Sequence, residues 1–252
     1  MRALRLLALL ALASTAPASA EDLVSGLSQD QIEITSNYTG TDLVVFGAIE
    51  NATSQDFSGR DVVVVVRGPN TGITVRKKAH VAGVWINSNR IVLNGMPSYY
   101  YVASSRPLSS VAPLDTLARY GIGLKAVEPQ TESTPIQGKA EPYVEAVRRQ
   151  KARDRLYGEA PNGVEFLSPT LFRVRVPVPA TVQPGQYRAE VYLFRDSTVV
   201  SAQSTPLFIG QAGLERRLFD SAHKSPLTYG LATVFMALLL GWLSSFLVRR
   251  TA

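Results

Sequence analysis

The chain of 252 residues contains no cysteine and only two histidines, His80 and His223. Without cysteine it has no disulfide, no thiolate metal site and no cysteine nucleophile. Neither histidine lies in a metal-binding or nucleophile motif, and no glycine-rich phosphate loop is present. The sequence therefore predicts no catalytic residue, no metal and no cofactor, and a protein that is not an enzyme.

A concentrated positive charge is also lacking. The chain has 26 Lys and Arg against 20 Asp and Glu, but Arg2, Arg5, Arg249 and Arg250 lie at its two ends. Without these four, 22 basic residues face 20 acidic ones. Proteins that bind nucleic acid need basic charge gathered on one surface, so no nucleic-acid partner is expected.

The first twenty residues have the pattern of a signal peptide. Arg2 and Arg5 precede the short apolar stretch Leu6 to Ala13, and Ala18-Ser19-Ala20 supplies small residues for cleavage. We expect residues 1–20 to be removed and the rest of the chain to be exported.

A second apolar run, Pro226 to Val248, contains no charged residue. As a helix it would be about 34 Å long, enough for a hydrocarbon core of about 30 Å. Arg249 and Arg250 follow at once, and positive residues stay on the cytoplasmic side. The prediction is one transmembrane helix at 226–248, a cytoplasmic tail at 249–252 and a domain on the opposite side.

Small residues recur every four positions along this helix, at Thr233, Ala237, Gly241 and Ser245. Such a stripe lets two membrane helices approach closely. We predict helix packing along it, although small residues are common in membrane helices.

The region between the two apolar runs predicts a mainly β fold. Short β-branched runs are separated by turn residues, and the five valines of 62–66 are typical of a strand covered on both faces. Strands return after Val164, ending in a hairpin pattern around Gly185 to Phe194 that resembles an immunoglobulin-like sandwich. We expect one immunoglobulin-like β-sandwich over 21–212, with two small β domains as the alternative.

Helical patterns interrupt the strands. Leu108 to Arg119 and Glu141 to Tyr157 have helical spacing, so a helical insertion is predicted over about 108–158. The second segment carries a dense basic cluster from Arg148 to Arg155, interpreted as a solvated helix face. Residues 213–225 are predicted to form a helical stalk before the membrane.

Three consecutive tyrosines, Tyr99 to Tyr101, precede Arg106. Since side chains alternate along a strand, at least one tyrosine should point outward, and Tyr100 with Arg106 would form an aromatic and basic contact patch. The alternative places Tyr99 and Tyr101 in the core, with Tyr100 shielding a sheet edge.

Several segments carry a family resemblance. They are Ile34 to Ile49, Val66 to Pro69, Pro97 to Pro107, Leu193 to Asp196, Pro226 to Gly230, and Gly241-Trp242 with the terminal arginines. Together they resemble the "putative transmembrane protein" family of alphaproteobacteria (Alph_Pro_TM type). The resemblance implies a single-pass protein of the bacterial inner membrane with a periplasmic domain. Genes of this family often lie beside a TauE/SafE-type sulfite or sulfonate exporter, which implies an accessory role but no catalytic residues.

Three hypotheses for function follow. In the first, the sandwich is an interaction module for a membrane protein such as that exporter, or for a second copy of the chain. In the second it binds a small anion through Arg67, Arg106, Arg173 and Arg175, residues that could equally contact a partner. In the third, dispersed carboxylates form an enzyme site.

Overall fold

The computed structural model describes residues 22–35, 37–50, 59–81, 83–129, 140–211, 222–223 and 225–251. The predicted signal peptide and nearly all of the predicted stalk lie outside these residues.

Twelve strands account for most of the described chain. In order they are β1 Asp22–Leu27, β2 Gln31–Ile34, β3 Gly40–Glu50, β4 Arg60–Arg67, β5 Asn70–Val81, β6 Val84–Pro97, β7 Tyr100–Ser104, β8 Tyr157–Pro161, β9 Val164–Phe166, β10 Leu171–Pro179, β11 Gly185–Arg195 and β12 Thr198–Gln211. The helices are α1 Leu108–Val111, α2 Leu114–Arg119, α3 Glu141–Arg153 and α4 Pro226–Thr251, with a 3-10 turn at Leu124–Ala126.

Two sheets form the sandwich. The four-stranded sheet has the order β1-β3-β10-β9, and the six-stranded sheet has the order β2-β12-β11-β4-β7-β8. Strands from before and after the helical insertion pair directly in both sheets, as β3 with β10 and β4 with β11. The predicted mainly β sandwich with a helical insertion is confirmed.

The valine strand lies at the centre of this arrangement. Val62 to Val66 are at most 1% exposed, because β4 pairs with β11 on one side and β7 on the other while both of its faces are covered. The prediction of a strand buried on both faces is confirmed. On the four-stranded sheet, Leu43, Val45, Phe172, Val174 and Val176 point inward at alternate positions.

The helical insertion covers one side of the six-stranded sheet, and its apolar residues belong to the same core. Two expectations for it are corrected. The predicted helix at 108–119 is broken between α1 and α2 by Pro113, which has no N–H to donate. The second helix ends at Arg153 and not at Tyr157, because Arg155 adopts a left-handed φ of 58° before β8 begins.

Strands β5 and β6 form a separate two-stranded hairpin. Its base continues the β4–β7 ladder: Arg67 pairs with Tyr100, Gly68 bonds to Tyr99, Pro69 to Ser98, and Asn70 pairs with Pro97. Near the base, Leu93 and Met96 are buried in the core. Beyond Arg76 and Arg90 the described side chains are exposed, so the hairpin extends past the end of the sheet.

Helix α4 carries the second apolar run. Its segment Pro226–Ser244 is long and apolar enough to cross a membrane, with a mean hydropathy of 1.7, and none of it is buried against the protein. Large apolar side chains such as Leu231, Phe235 and Leu238 are exposed all around it. Such a surface is stable in lipid rather than in water.

Candidate functional site

Arg67 fastens the helical insertion to the sheet. Its Nε lies 3.0 Å from Glu190 Oε2, and its Nη2 donates to the backbone oxygens of Tyr120 at 2.9 Å and Gly121 at 3.0 Å. The guanidinium also lies 5.6 Å from the centre of the Tyr100 ring. The positive charge of Arg67 is thus already paired with Glu190, and its Nη2 is committed to the insertion.

Tyr100 is fully buried, with 0% of its surface exposed. Its hydroxyl donates to Gly121 O at 2.9 Å and accepts from Gly123 N at 2.8 Å, and burial raises its pKa. The expected exposure of Tyr100 is wrong, and so is the alternative in which it shields an edge. Strand β7 is internal to the sheet, between β4 and β8, and the insertion covers the face on which Tyr100 lies. Tyr101 is the partly exposed tyrosine.

Arg106 is held by a buried carboxylate. Its Nε donates to Asp61 Oδ1 at 2.8 Å and its Nη2 bonds to Asp61 Oδ2, while Ser105 Oγ donates to the same carboxylate at 2.7 Å. Asp61 is 2% exposed. Burial raises the pKa of Asp61, but the hydrogen bonds from Arg106 and Ser105 outweigh it and hold the pKa below its usual value. The arrangement anchors the chain after β7.

Arg173 and Arg175 lie on the outward face of the four-stranded sheet. Arg173 forms a two-pronged pair with Glu165 of the neighbouring strand, at 2.9 and 3.1 Å. Arg175, two residues on, is exposed and has no ion pair among the described residues. It is the one predicted contact arginine that the fold leaves uncommitted.

An apolar patch lies beside these arginines. The register places Val24, Ala48 and Leu171 in one row across the sheet, and Gly26, Phe46 and Arg173 in the next. Val24 is 47% exposed, Phe46 45% and Leu171 39%. We call these residues, with Arg173 and Arg175, the four-stranded face. An apolar centre rimmed by arginine is typical of protein interfaces.

The basic cluster of α3 is only partly solvated. Arg148 donates to Lys125 O and Val127 O and pairs with Glu141, and Lys151 donates to Ser98 O at 3.1 Å. Lys151 therefore binds the insertion to the sandwich, whereas the partners of Arg148 all lie within the insertion. Arg149 and Arg153 are exposed, as the solvated-face interpretation expects.

An open cleft of about 780 Å³ lies between the end of α3 and the adjoining ends of β3 and β10. Asp42, Tyr101, Arg153 and Arg155 contribute to its walls. None of the residues predicted for contact lines it, so the structure does not bring those residues into one pocket.

The exposed end of the β5–β6 hairpin was not singled out by sequence reasoning. Val84 is 62% exposed, Trp85 67% and Ile86 45%, and the His80 and Trp85 rings stack edge to face at 5.1 Å. A readable signal was present: no Asp or Glu occurs between Asp61 and Asp115, while Arg76, Lys77, Lys78 and Arg90 fall inside the hairpin. We call residues 76–90 the hairpin end.

The small-residue stripe lies on α4. Thr233 Oγ1 donates to Tyr229 O at 2.8 Å, within the helix. Apart from its own turn of helix, no atom lies within 4 Å of the position that a Cβ on Gly241 would take. The side chain of Ser245 lies outside the described residues. Helix packing along Thr233, Ala237 and Gly241 therefore stays a prediction.

Among the described residues, no group of three His, Asp or Glu side chains is placed to hold a metal ion. His80 contacts Trp85 in the hairpin, and His223 precedes α4. The sandwich thus offers surfaces, and the described part of the chain brings together no constellation for which we can derive a reaction.

Comparisons with known proteins are consistent with a membrane protein. No curated protein matches the chain. Among solved structures, the sporulation control protein Spo0M from Bacillus subtilis matches with 7% identity and a TM-score of 0.30, covering 81% of this chain and 55% of that one. That similarity is too low to carry an argument about fold or function. The family model described as putative transmembrane protein (Alph_Pro_TM) matches residues 22–250. The chain therefore belongs to the Alph_Pro_TM family of transmembrane proteins.

Proposed function

We propose that this protein is a membrane-anchored interaction module, whose sandwich contacts another membrane protein through the four-stranded face. The observation that carries the proposal is the exposed apolar cluster of Val24, Phe46 and Leu171, in two adjacent rows of the sheet, with exposed Arg175 on the same face. Exposed apolar clusters on a soluble domain mark contact surfaces, and an uncommitted arginine at the rim supplies charge selectivity.

The topology extends the proposal. Arg249 and Arg250 at the end of α4 favour a cytoplasmic C-terminus, which would put the sandwich in the periplasm of the inner membrane. The signal peptide predicted for residues 1–20 would direct this export. A TauE/SafE-type exporter is the first partner to test, on the gene association that the family resemblance brings.

The small-anion hypothesis is less well supported. Arg67, Arg106 and Arg173 are each paired with a carboxylate, and an anion would have to displace Glu190, Asp61 or Glu165 from them. We also propose a binding role rather than catalysis, because the described residues place no group of three His, Asp or Glu side chains to hold a metal ion, and the cleft beside α3 brings only Asp42 and Asp154 into one lining.

Single cysteines provide the test, since the chain has none of its own. Val24→Cys would carry a photo-cross-linker on the four-stranded face, and Ser204→Cys would carry it on the exposed surface of β12. After illumination of native membranes, we expect Val24→Cys to capture one membrane protein and Ser204→Cys to capture none.

Two further variants sharpen this experiment. Arg175→Glu should lower the cross-linking yield several-fold, whereas Arg149→Glu, the same change on the exposed side of α3, should not. Gly241→Leu reports whether the helix stripe contributes. Capture of a second copy would identify a homo-oligomer, and recovery of the protein alone, with the exporter present, would contradict the proposal.

A further inference from the structure

The hairpin end combines two properties that are seldom found together on a free surface. Arg76, Lys77, Lys78 and Arg90 are exposed, and among the described residues none of them has a carboxylate partner. Beyond them, Val84, Trp85 and Ile86 are about half exposed or more. A row of cations behind an apolar and aromatic tip complements a membrane surface, where basic side chains meet headgroups and tryptophan lies at the interface.

The register places the apolar residues on both faces of the hairpin. His80 pairs with Trp85 and Lys78 with Asn87 on one face, whereas Val84 and Ile86 fall on the other. A second sheet packed against one face of the hairpin would therefore leave the apolar residues of the other face exposed. The tip is instead apolar all round, which suits insertion of its end.

The strand directions bring this end to the membrane side of the sandwich. Both β4 and β12 pair antiparallel with β11, so β4 and β12 run in the same direction. The hairpin extends the β4–β7 ladder in that direction. Strand β12 ends at Gln211 and leads to the membrane helix that begins at Pro226. The chain thus leaves for the membrane from the end of the sheet at which the hairpin projects.

The base of the hairpin confirms this placement. The Pro69 ring packs against Gly185, where an added Cβ would lie 2.9 Å from it, and Gly185 pairs with Ile209 near the end of β12. At about 3.3 Å per residue, β5 is about 40 Å long. Positions 212–225 can span at most about 48 Å, so a hairpin of this length reaches the surface in which α4 is anchored unless positions 212–225 are almost fully extended.

We propose that the hairpin end is a second membrane contact, which binds anionic phospholipid headgroups and inserts its Val84–Ile86 tip at the interface. Two attachment points, α4 and the hairpin, would fix the orientation of the sandwich above the bilayer. The proposal is independent of the protein partner proposed for the four-stranded face.

Tryptophan fluorescence of the full-length protein tests it. The chain has two tryptophans, so Trp242→Phe leaves Trp85 as the reporter. The protein would be reconstituted into vesicles of phosphatidylcholine with or without phosphatidylglycerol, containing acyl-chain-brominated lipid as a quencher. We expect blue-shifted emission and strong quenching in vesicles with phosphatidylglycerol, reduced several-fold by high salt because salt screens the headgroup charge.

Matched variants distinguish recognition of anionic headgroups by the hairpin cations from the attachment to the bilayer that α4 provides in every variant. Lys77→Gln with Lys78→Gln should abolish the preference for phosphatidylglycerol, whereas Arg153→Gln with Arg155→Gln, on the insertion, should leave it unchanged. A second reporter controls for depth of insertion. Leu167→Trp, with Trp85 and Trp242 both replaced by Phe, places the single tryptophan at the opposite end of the sandwich, near Phe166 and Arg60. Its fluorescence should not be quenched by the brominated lipid. All variants alter exposed residues, and an unchanged melting temperature verifies the fold.

Quenching of Trp85 no greater than that at position 167 would overturn the membrane contact. Equal quenching with and without phosphatidylglycerol would overturn the role of the cations. Since the vesicles contain only this protein and lipid, and the quencher is in the lipid, neither a protein partner nor a second copy can produce the expected signal.

Discussion

At the scale of single residues, the arginines are mostly structural. Arg106 binds Asp61, which is buried and therefore depends on that partner, whereas Arg173 binds Glu165 at the surface. Removing one member of a pair costs most when the other stays buried and charged. Replacing Arg106 should therefore lower the stability of the protein more than replacing Arg173.

We predict that Arg106→Gln lowers the free energy of unfolding by about 1.5–3 kcal/mol at pH 7. The pKa of Asp61 is depressed in the folded state. Its contribution is therefore present above the unfolded pKa of about 3.9 and is lost as the pH falls through the lower folded value. Urea denaturation of the wild type and of Arg106→Gln at pH 7 and near pH 3 measures the loss of stability and its dependence on pH.

Arg173→Gln is the control, and it should change stability little at either pH because an exposed pair is screened by water. If Arg106→Gln left stability unchanged at pH 7, the Asp61 pair would not be structural. A contact role for Arg106 would then regain support.

At the scale of elements, Tyr100 joins β7 to the turn between α2 and the 3-10 turn. Its hydroxyl donates to Gly121 O and accepts from Gly123 N, and Gly123 has a φ of 100°, which favours glycine. The Tyr100 hydroxyl and the Arg67 guanidinium therefore fasten this turn of the insertion to the sheet.

Tyr100→Phe should lower the free energy of unfolding by about 1–3 kcal/mol, because it leaves the buried Gly123 N–H without its partner and removes one of the two hydrogen bonds to Gly121 O. Hydrogen exchange of the Gly123 amide should quicken more than that of the valine strand. Tyr101→Phe is the control, since no hydrogen bond of its hydroxyl is found in the described residues. Equal exchange at Gly123 in both variants would show that the hydroxyl does not hold the insertion.

The elements differ in how far the sequence determined them. The valine run, β3 and the β10–β12 strands were predictable, because their apolar spacing is local. The hairpin was harder to predict, since register shifts between Thr71 and Ile73 and between Arg76 and Lys77 interrupt its alternation. The helix end at Arg153 depends on a left-handed arginine at 155, where the sequence offers no glycine to signal it.

The candidate site was less predictable than the fold. Tyr100 is buried by a segment that follows it by about twenty positions. Arg67 is paired with Glu190 of β11, a strand that is adjacent in the sheet but distant in sequence. Alternation along β7 cannot reveal either partner, since both depend on tertiary packing. The membrane helix α4 could be predicted without tertiary contacts, because a charge-free run of its length has few stable environments other than a bilayer.

At the scale of the whole molecule, the strand order bears on whether the sandwich is one domain or two. Strands β3 and β4 precede the insertion and pair with β10 and β11, which follow it. Residues of the insertion, including Leu117 and Val144, share the core with Leu43. Neither half of the chain can complete its own sheet or bury its own apolar surface.

We therefore predict that residues 22–211, produced without α4, unfold in a single transition by calorimetry, with equal calorimetric and van't Hoff enthalpies. Leu43→Ala in β3 and Leu117→Ala in α2 remove side chains that are 0% and 3% exposed, each at about 2–5 kcal/mol. Both should lower the same melting temperature, by on the order of 10 °C. Two domains would instead show two transitions, each variant moving only one, and the predicted single domain over 21–212 would then be wrong.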